Sequence, residues 1–114
     1  MADQSIRRPA KITVANSTTR SAPVLVGDVI KIALKSPIAA AITFEGSMDA
    51  GMGVTPTWFP IADISGTALT MTTVTTSSQP LPSPDTILAH RYIRIVAPAQ
   101  GSDVTFEFIC KVCK

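Results

Sequence analysis

Few residue types in this chain could carry chemistry, and their spacing does not suit a catalyst. Two cysteines, Cys110 and Cys113, form a single C-x-x-C near the C-terminus. That pair is half of a four-ligand zinc set, and the lone His90 does not complete it. A thioredoxin-type redox pair opens a helix in an α/β unit, whereas this one ends an alternating β pattern. Cys110 and Cys113 therefore read as two reduced thiols in a last strand. His90 has no aspartate placed behind it to orient an imidazole base. The carboxylates Glu45, Asp49, Asp63, Asp85, Asp103 and Glu107 are scattered, with no adjacent pair to push one pKa against another. Gly51-x-Gly53 meets Pro56 where a dinucleotide loop needs its third glycine. The sequence predicts no enzyme, no cofactor and no metal site, which leaves binding as the role.

Two binding classes are also poorly served. Arg91, Tyr92 and Arg94 form a small basic and aromatic group, yet strand alternation separates Arg91 from the other two. The expected structural use of Arg94 is a cross-strand pair with Glu45. A net charge of +2 is too balanced for a nucleic-acid binder. The longest largely apolar run, residues 37–44, falls well short of the roughly 20 residues of a membrane span. The start is polar, and Arg7-Arg8 leads into Pro9 and Lys11 instead of an apolar run, so no secretory signal is predicted. Synthesis in a cytoplasm, with neither a nucleic-acid nor a membrane partner, is the expectation.

What must position any binding residues is a β framework. At 114 residues the chain can bury roughly 65 % of its unfolded surface in one core. Hydrophobic residues make up 46 % and charged ones only 16 %, against roughly 25 % charged in an ordinary soluble domain. Nine prolines and many threonines favour strands over helices. Residues 1–11 read as a flexible basic arm, with Arg7, Arg8 and Lys11 against Asp3.

Beyond the arm the apolar period is two. Over 28–35, Ile30, Ile32 and Leu34 share a face opposite Lys31 and Lys35. Over 40–45, Ala40, Ile42 and Phe44 oppose Thr43 and Glu45. Residues 46–53 form a glycine-rich turn, and Pro60 confines the strand 57–61 to an edge or a bulge. A threonine-rich strand is expected over 69–74 and a stiff extended loop over 77–84, where Pro80, Pro82 and Pro84 alternate. Over 89–96, Ile93 and Ile95 face in while His90, Tyr92 and Arg94 face out. Val104, Phe106, Phe108, Cys110 and Val112 line one face of the last strand, which buries Cys110 and leaves Cys113 exposed or at an interface. The prediction is an all-β, two-sheet sandwich of jelly-roll type, with seven or eight strands in a single domain over 12–114 behind the arm.

Three segments carry a resemblance. Phe44-Glu45-Gly46-Ser47-Met48-Asp49-Ala50-Gly51 leads to Thr57-Trp58-Phe59-Pro60-Ile61 and later to Arg91-Tyr92-Ile93-Arg94-Ile95. Together they resemble the sandwich modules of tailed-bacteriophage virion proteins, both head decoration (cement) proteins and tail accessory domains. They are more weakly similar to discoidin-like, galactose-binding-type modules. In such a module Gly46-Ser47-x-Asp49 makes a locally hydrogen-bonded turn, and Trp58 folds back to close the sandwich end.

The resemblance implies a complete short decoration protein on the capsid surface of a virion, a homo-oligomer such as a trimer, bridging copies of the major capsid protein. Ile6, Arg7, Arg8 and Lys11 of the arm, with Met48, Met52, Val54 and Leu81 of the two loops, are the expected partner contacts. The alternative is a receptor- or carbohydrate-binding module with an aromatic-lined pocket at Trp58, Tyr92 and Arg94.

Overall fold

The computed structural model describes residues 5–27, 29–50 and 52–113; for 5–9, 30 and 111–113 the description covers backbone only. Nine strands follow in chain order: β1 Ser5–Val14, β2 Val24–Leu25, β3 Val29–Lys35, β4 Ala41–Ser47, β5 Phe59–Pro60, β6 Thr70–Thr72, β7 Gln79–Pro80, β8 Tyr92–Val96 and β9 Val104–Cys113. A four-residue helix, α1 Pro84–Ile87, precedes β8. Two antiparallel sheets result, one ordered β1-β9-β3-β7 and the other β2-β8-β4-β5, with β6 also on β4.

The path between the sheets makes this a jelly roll. The chain changes sheet at every step from β1 to β4 and again from β6 to β9. It stays in one sheet only from β4 through β6. There β5 pairs with Glu45–Gly46 and β6 with residues 41–43 of the same β4 edge. β5 and β6 thus share one strand position, so the nine strands fill the eight positions of a jelly roll. The β5 edge is where Pro60 is tolerated, as the missing N–H requires.

The inward faces make the core. Phe106, Phe108 and Cys110 from β9 and Leu34 from β3 meet Ile42 and Phe44 from β4 and Ile93 and Ile95 from β8, all essentially inaccessible to water. Burying one such side chain contributes about 1.5–3 kcal/mol, so the alternation read from the sequence is the main stabilising pattern of the fold. Among the described residues, every buried side-chain polar atom has a hydrogen-bond partner.

Four expectations need correction. Residues 5–11, read as part of a flexible arm, are the first seven residues of β1, paired with β9 from Ser5↔Cys113 to Val14↔Val104. The weakly patterned segment is held by the ladder of its long partner, a tertiary effect that local composition does not carry. Residues 1–4 lie outside the described residues. In β3, pairing with β9 steps from Val29↔Val112 to Lys31↔Lys111, a bulge that puts Val29 in the core ahead of Ile32 and Leu34. The stiff 77–84 loop instead holds the β7 bridge to β3, then leads into α1, which opens on Pro84 and anchors through fully buried Ile87. His90 lies in the turn before β8, not on the strand.

Candidate partner-binding surface

A hydrogen-bonded loop follows β4. The Ser47 hydroxyl donates to Asp49 Oδ1 at 2.7 Å and accepts from the backbone N–H groups of Asp49 and Ala50 at 3.3 and 3.1 Å. Asp49 Oδ1 also accepts from the Thr57 backbone N–H at 2.9 Å, which closes the loop eight residues on. The Ser47 and Thr57 donors hold the Asp49 carboxyl below its ordinary pKa. This is the local turn expected from Gly46-Ser47-x-Asp49, and it ties down a loop that presents apolar side chains to water. Met48, Met52, Val54 and Phe59 are 62, 58, 60 and 63 % exposed.

A shallow depression of about 300 Å³ lies at the foot of this loop, lined by Gly46, Ser47, Met48, Asp49, Thr57, Phe59 and His90. The His90 ring packs directly on Gly46, and its Nδ1 lies 3.2 Å from the Ile87 carbonyl oxygen. Strand faces alone do not mark Phe59 and His90 as contributors, since both depend on which segment lies beside Gly46. The only available signal for Phe59 was its place beside Pro60 on an edge strand.

The other expected contacts divide. Ile6, Arg7 and Arg8 lie in β1, in register with Val112, Lys111 and Cys110, and their side chains fall outside the described ones. Lys11 is exposed and in register with Glu107. Leu81 is only 3 % exposed and belongs to the core, so it is not a partner contact. Its neighbours Pro80 and Pro82 bracket an inward position that the proline pattern did not reveal. Cys110 is buried as expected, and the Cys113 side chain lies outside the described ones.

The alternative pocket residues form a different structure. Arg94 Nε donates to Glu45 Oε1 at 2.7 Å, and Arg20 Nε donates to the same oxygen at 3.0 Å. The Arg94 guanidinium centre sits 4.3 Å from the centroid of the Trp58 ring. Trp58 thus packs on the Arg94 guanidinium of an ion-pair cluster, while Ile93 and Ile95, its neighbours on β8, point into the core. Tyr92 stands under Arg91, at 5.8 Å from its ring centroid. The Glu45–Arg94 cross-strand pair is as expected.

Burial works to raise the Glu45 pKa, but hydrogen bonds and charge from Arg20 and Arg94 outweigh it and hold the carboxyl below its usual 4.5. With the folded pKa depressed, the stabilisation is complete above the unfolded value and is lost as pH falls through the folded one. The thermal midpoint of the native chain should therefore fall below about pH 4.5. Part of that fall should vanish in Glu45→Gln; identical acid profiles for the two chains would show that the cluster contributes nothing to acid stability.

The structure is a jelly-roll sandwich whose 48–59 loop is tied by hydrogen bonds and presents apolar side chains. No family model matches the sequence, and no curated protein matches it. Among solved structures the fold is similar to that of the SPBc2 prophage-derived protein YomS, with a TM-score of 0.51 at 15 % identity, covering 93 % of this chain and 95 % of that one.

Proposed function

We propose that this protein is a structural component of a phage particle, of the decoration type, which attaches to the capsid and bridges neighbouring subunits. The observation that carries the reading is the loop 48–59, where a side-chain hydrogen-bond network holds four large apolar groups in solvent. Exposed apolar surface on a tied-down loop is what a docking site requires, because little ordering entropy remains to be lost on binding. Two further points support it. Jelly rolls are a recurrent architecture of viral capsid domains. The similar solved structure is of a prophage-derived protein.

On this reading the role is adhesive and involves no bond-making. Several copies, a trimer in the simplest arrangement, would each seat the 48–59 loop against the major capsid protein. A stable contact of this kind buries about 1,600 Å². Repetition over a shell lets modest individual contacts resist opening collectively. The partner side would be the capsid surface, reached after synthesis in the host cytoplasm.

The test uses purified phage heads lacking this chain. Native protein should saturate them, and the double variant Met48→Ser/Phe59→Ser should bind at least about ten-fold more weakly, a loss of ~1.4 kcal/mol. Both positions are exposed, so thermal stability should be unchanged. Undiminished occupancy by the double variant would remove the loop from the mechanism, and no occupancy by the native chain would remove the shell.

A further inference from the structure

The outer face of the four-stranded sheet has a charge layout that loop docking leaves unused. Cross-strand register arranges it in rungs. Lys11, Glu107 and Lys35 are register partners across β1, β9 and β3. Two residues along, Pro9, Ile109, Ala33 and Pro80 make an apolar rung that continues onto β7. Two residues further, Arg7, Lys111 and Lys31 are in register. Of the side chains described on these rungs, Lys11, Lys31 and Lys35 are cationic and Glu107 is the one acid.

Nothing within the sheet calls for this layout. Neighbouring strands lie about 4.8 Å apart, and like charges placed directly opposite one another are unfavourable. Lys11, Lys31 and Lys35 are all exposed. Among the described residues the ion pairs are those of Glu45, so Glu107 does not consume the lysines that flank it. A depression of about 330 Å³ opens beside them, lined by Lys11, Lys35, Ser36, Pro37, Thr105 and Glu107.

We propose that this face docks an acidic protein surface, with partner carboxylates on the two cationic rungs and partner apolar groups on the rung between. The layout favours a protein over a nucleic acid for two reasons. An apolar strip between charged margins matches the core and rim of protein interfaces. The central Glu107 would also sit against phosphate, and the described residues of these rungs supply no aromatic group for base stacking. The inference deepens the shell reading by naming the chemistry of a second contact, separate from the 48–59 loop.

Poly-L-glutamate and a short duplex DNA are the probes, titrated by fluorescence anisotropy at low and near-physiological salt. Native protein should bind polyglutamate more tightly than DNA, and the affinity should drop about ten-fold as salt rises. The variant Lys11→Gln/Lys31→Gln/Lys35→Gln should lose about ten-fold or more, and Glu107→Gln should gain about three-fold. Arg20→Gln/Arg91→Gln, which removes cations from the other sheet, should bind like the native chain. No polyglutamate binding, an unaffected triple-lysine variant, or tighter binding of DNA than of polyglutamate would each overturn the proposal.

Applied to undecorated heads, the same variants separate the two ideas. Attachment that ignores the triple-lysine change sinks the cationic face and keeps the shell. Lysine-dependent polyglutamate binding without any attachment keeps the face and sinks the shell.

Discussion

Replacing Gly46 with alanine is expected to destabilise the protein by about 1–3 kcal/mol, the usual cost of forcing extra volume into a packed site. A Cβ on Gly46 would lie 2.3, 2.5 and 2.8 Å from Cδ2, Cγ and Nε2 of His90. No real contact is that close, and the nearest atoms include the base of the ring, so the whole imidazole has to move. It is not free to do so cheaply. His90 follows α1, whose Ile87 is fully buried, and its backbone N–H and its ring Nδ1 both approach the Ile87 carbonyl oxygen. For a domain of this size the loss corresponds to a midpoint lower by roughly 3–6 °C per kcal/mol.

A second substitution makes the claim specific. His90→Ala removes the ring that meets the new methyl group, so Gly46→Ala/His90→Ala should be more stable than the sum of the single effects predicts. The expected coupling is about 1–2 kcal/mol, read from denaturant midpoints of the four chains. Additive effects would mean that the ring and Gly46 are not in contact. The consequence reaches the docking loop, because Gly46 and His90 form the floor of the depression beside Met48 and Phe59.

A larger loss, about 3–5 kcal/mol, is expected for Phe108→Ala. Phe108 is fully buried on β9, between Ala10 of β1 and Leu34 of β3 in the ladder. Its removal leaves a cavity in the strand that joins β1 to the rest of the sheet. Against a total stability of about 5–15 kcal/mol, such a loss leaves many chains of this size partly unfolded at 37 °C. The neighbouring substitution Ile109→Ala should cost far less, about 1 kcal/mol, since Ile109 is on the outer face and only half-buried. The contrast between adjacent positions is a test of register, because a slip of one residue exchanges the two faces. Equal losses at 108 and 109 would mean that β9 is not paired as described. Amide exchange should also show β1 opening before β3 in Phe108→Ala, since β1 lies at the sheet edge with β9 as its partner strand.

Much of the frame was legible in the residues. Alternation alone placed Ile42 with Phe44, Ile93 with Ile95, and Phe106, Phe108 and Cys110 on inward faces. Period two is a local property of a half-buried strand, so it can be read without knowing the partner. The Ser47–Asp49 turn was legible for the same reason, since its hydrogen bonds span only a few residues. The edge position of Pro60 follows from a missing N–H, which is also local.

Other features needed the fold. Residues 5–11 carry too little apolar pattern to announce a strand, and only the ladder of β9 extends β1 that far. The bulge after Val29 shifts the inward phase of β3 through a mismatch with β9, which no single strand encodes. Trp58 was legible as a side chain that packs, yet its seat on Arg94 depends on β5 pairing at the β4 edge and on the β4–β8 register that sets Arg94 opposite Glu45. The cationic rungs combine residues from three strands far apart in sequence, each of which taken singly is an ordinary solvated face.

By itself, then, the sequence determined that this is a two-layer β body with a hydrogen-bonded glycine-serine turn, because those properties arise within a few neighbouring residues. Which apolar groups remain outside after packing, and which charges end up side by side, was decided by tertiary structure. Both depend on register between strands as distant as β1 and β9, and register is set by the backbone ladder and the shared core, not by any one segment.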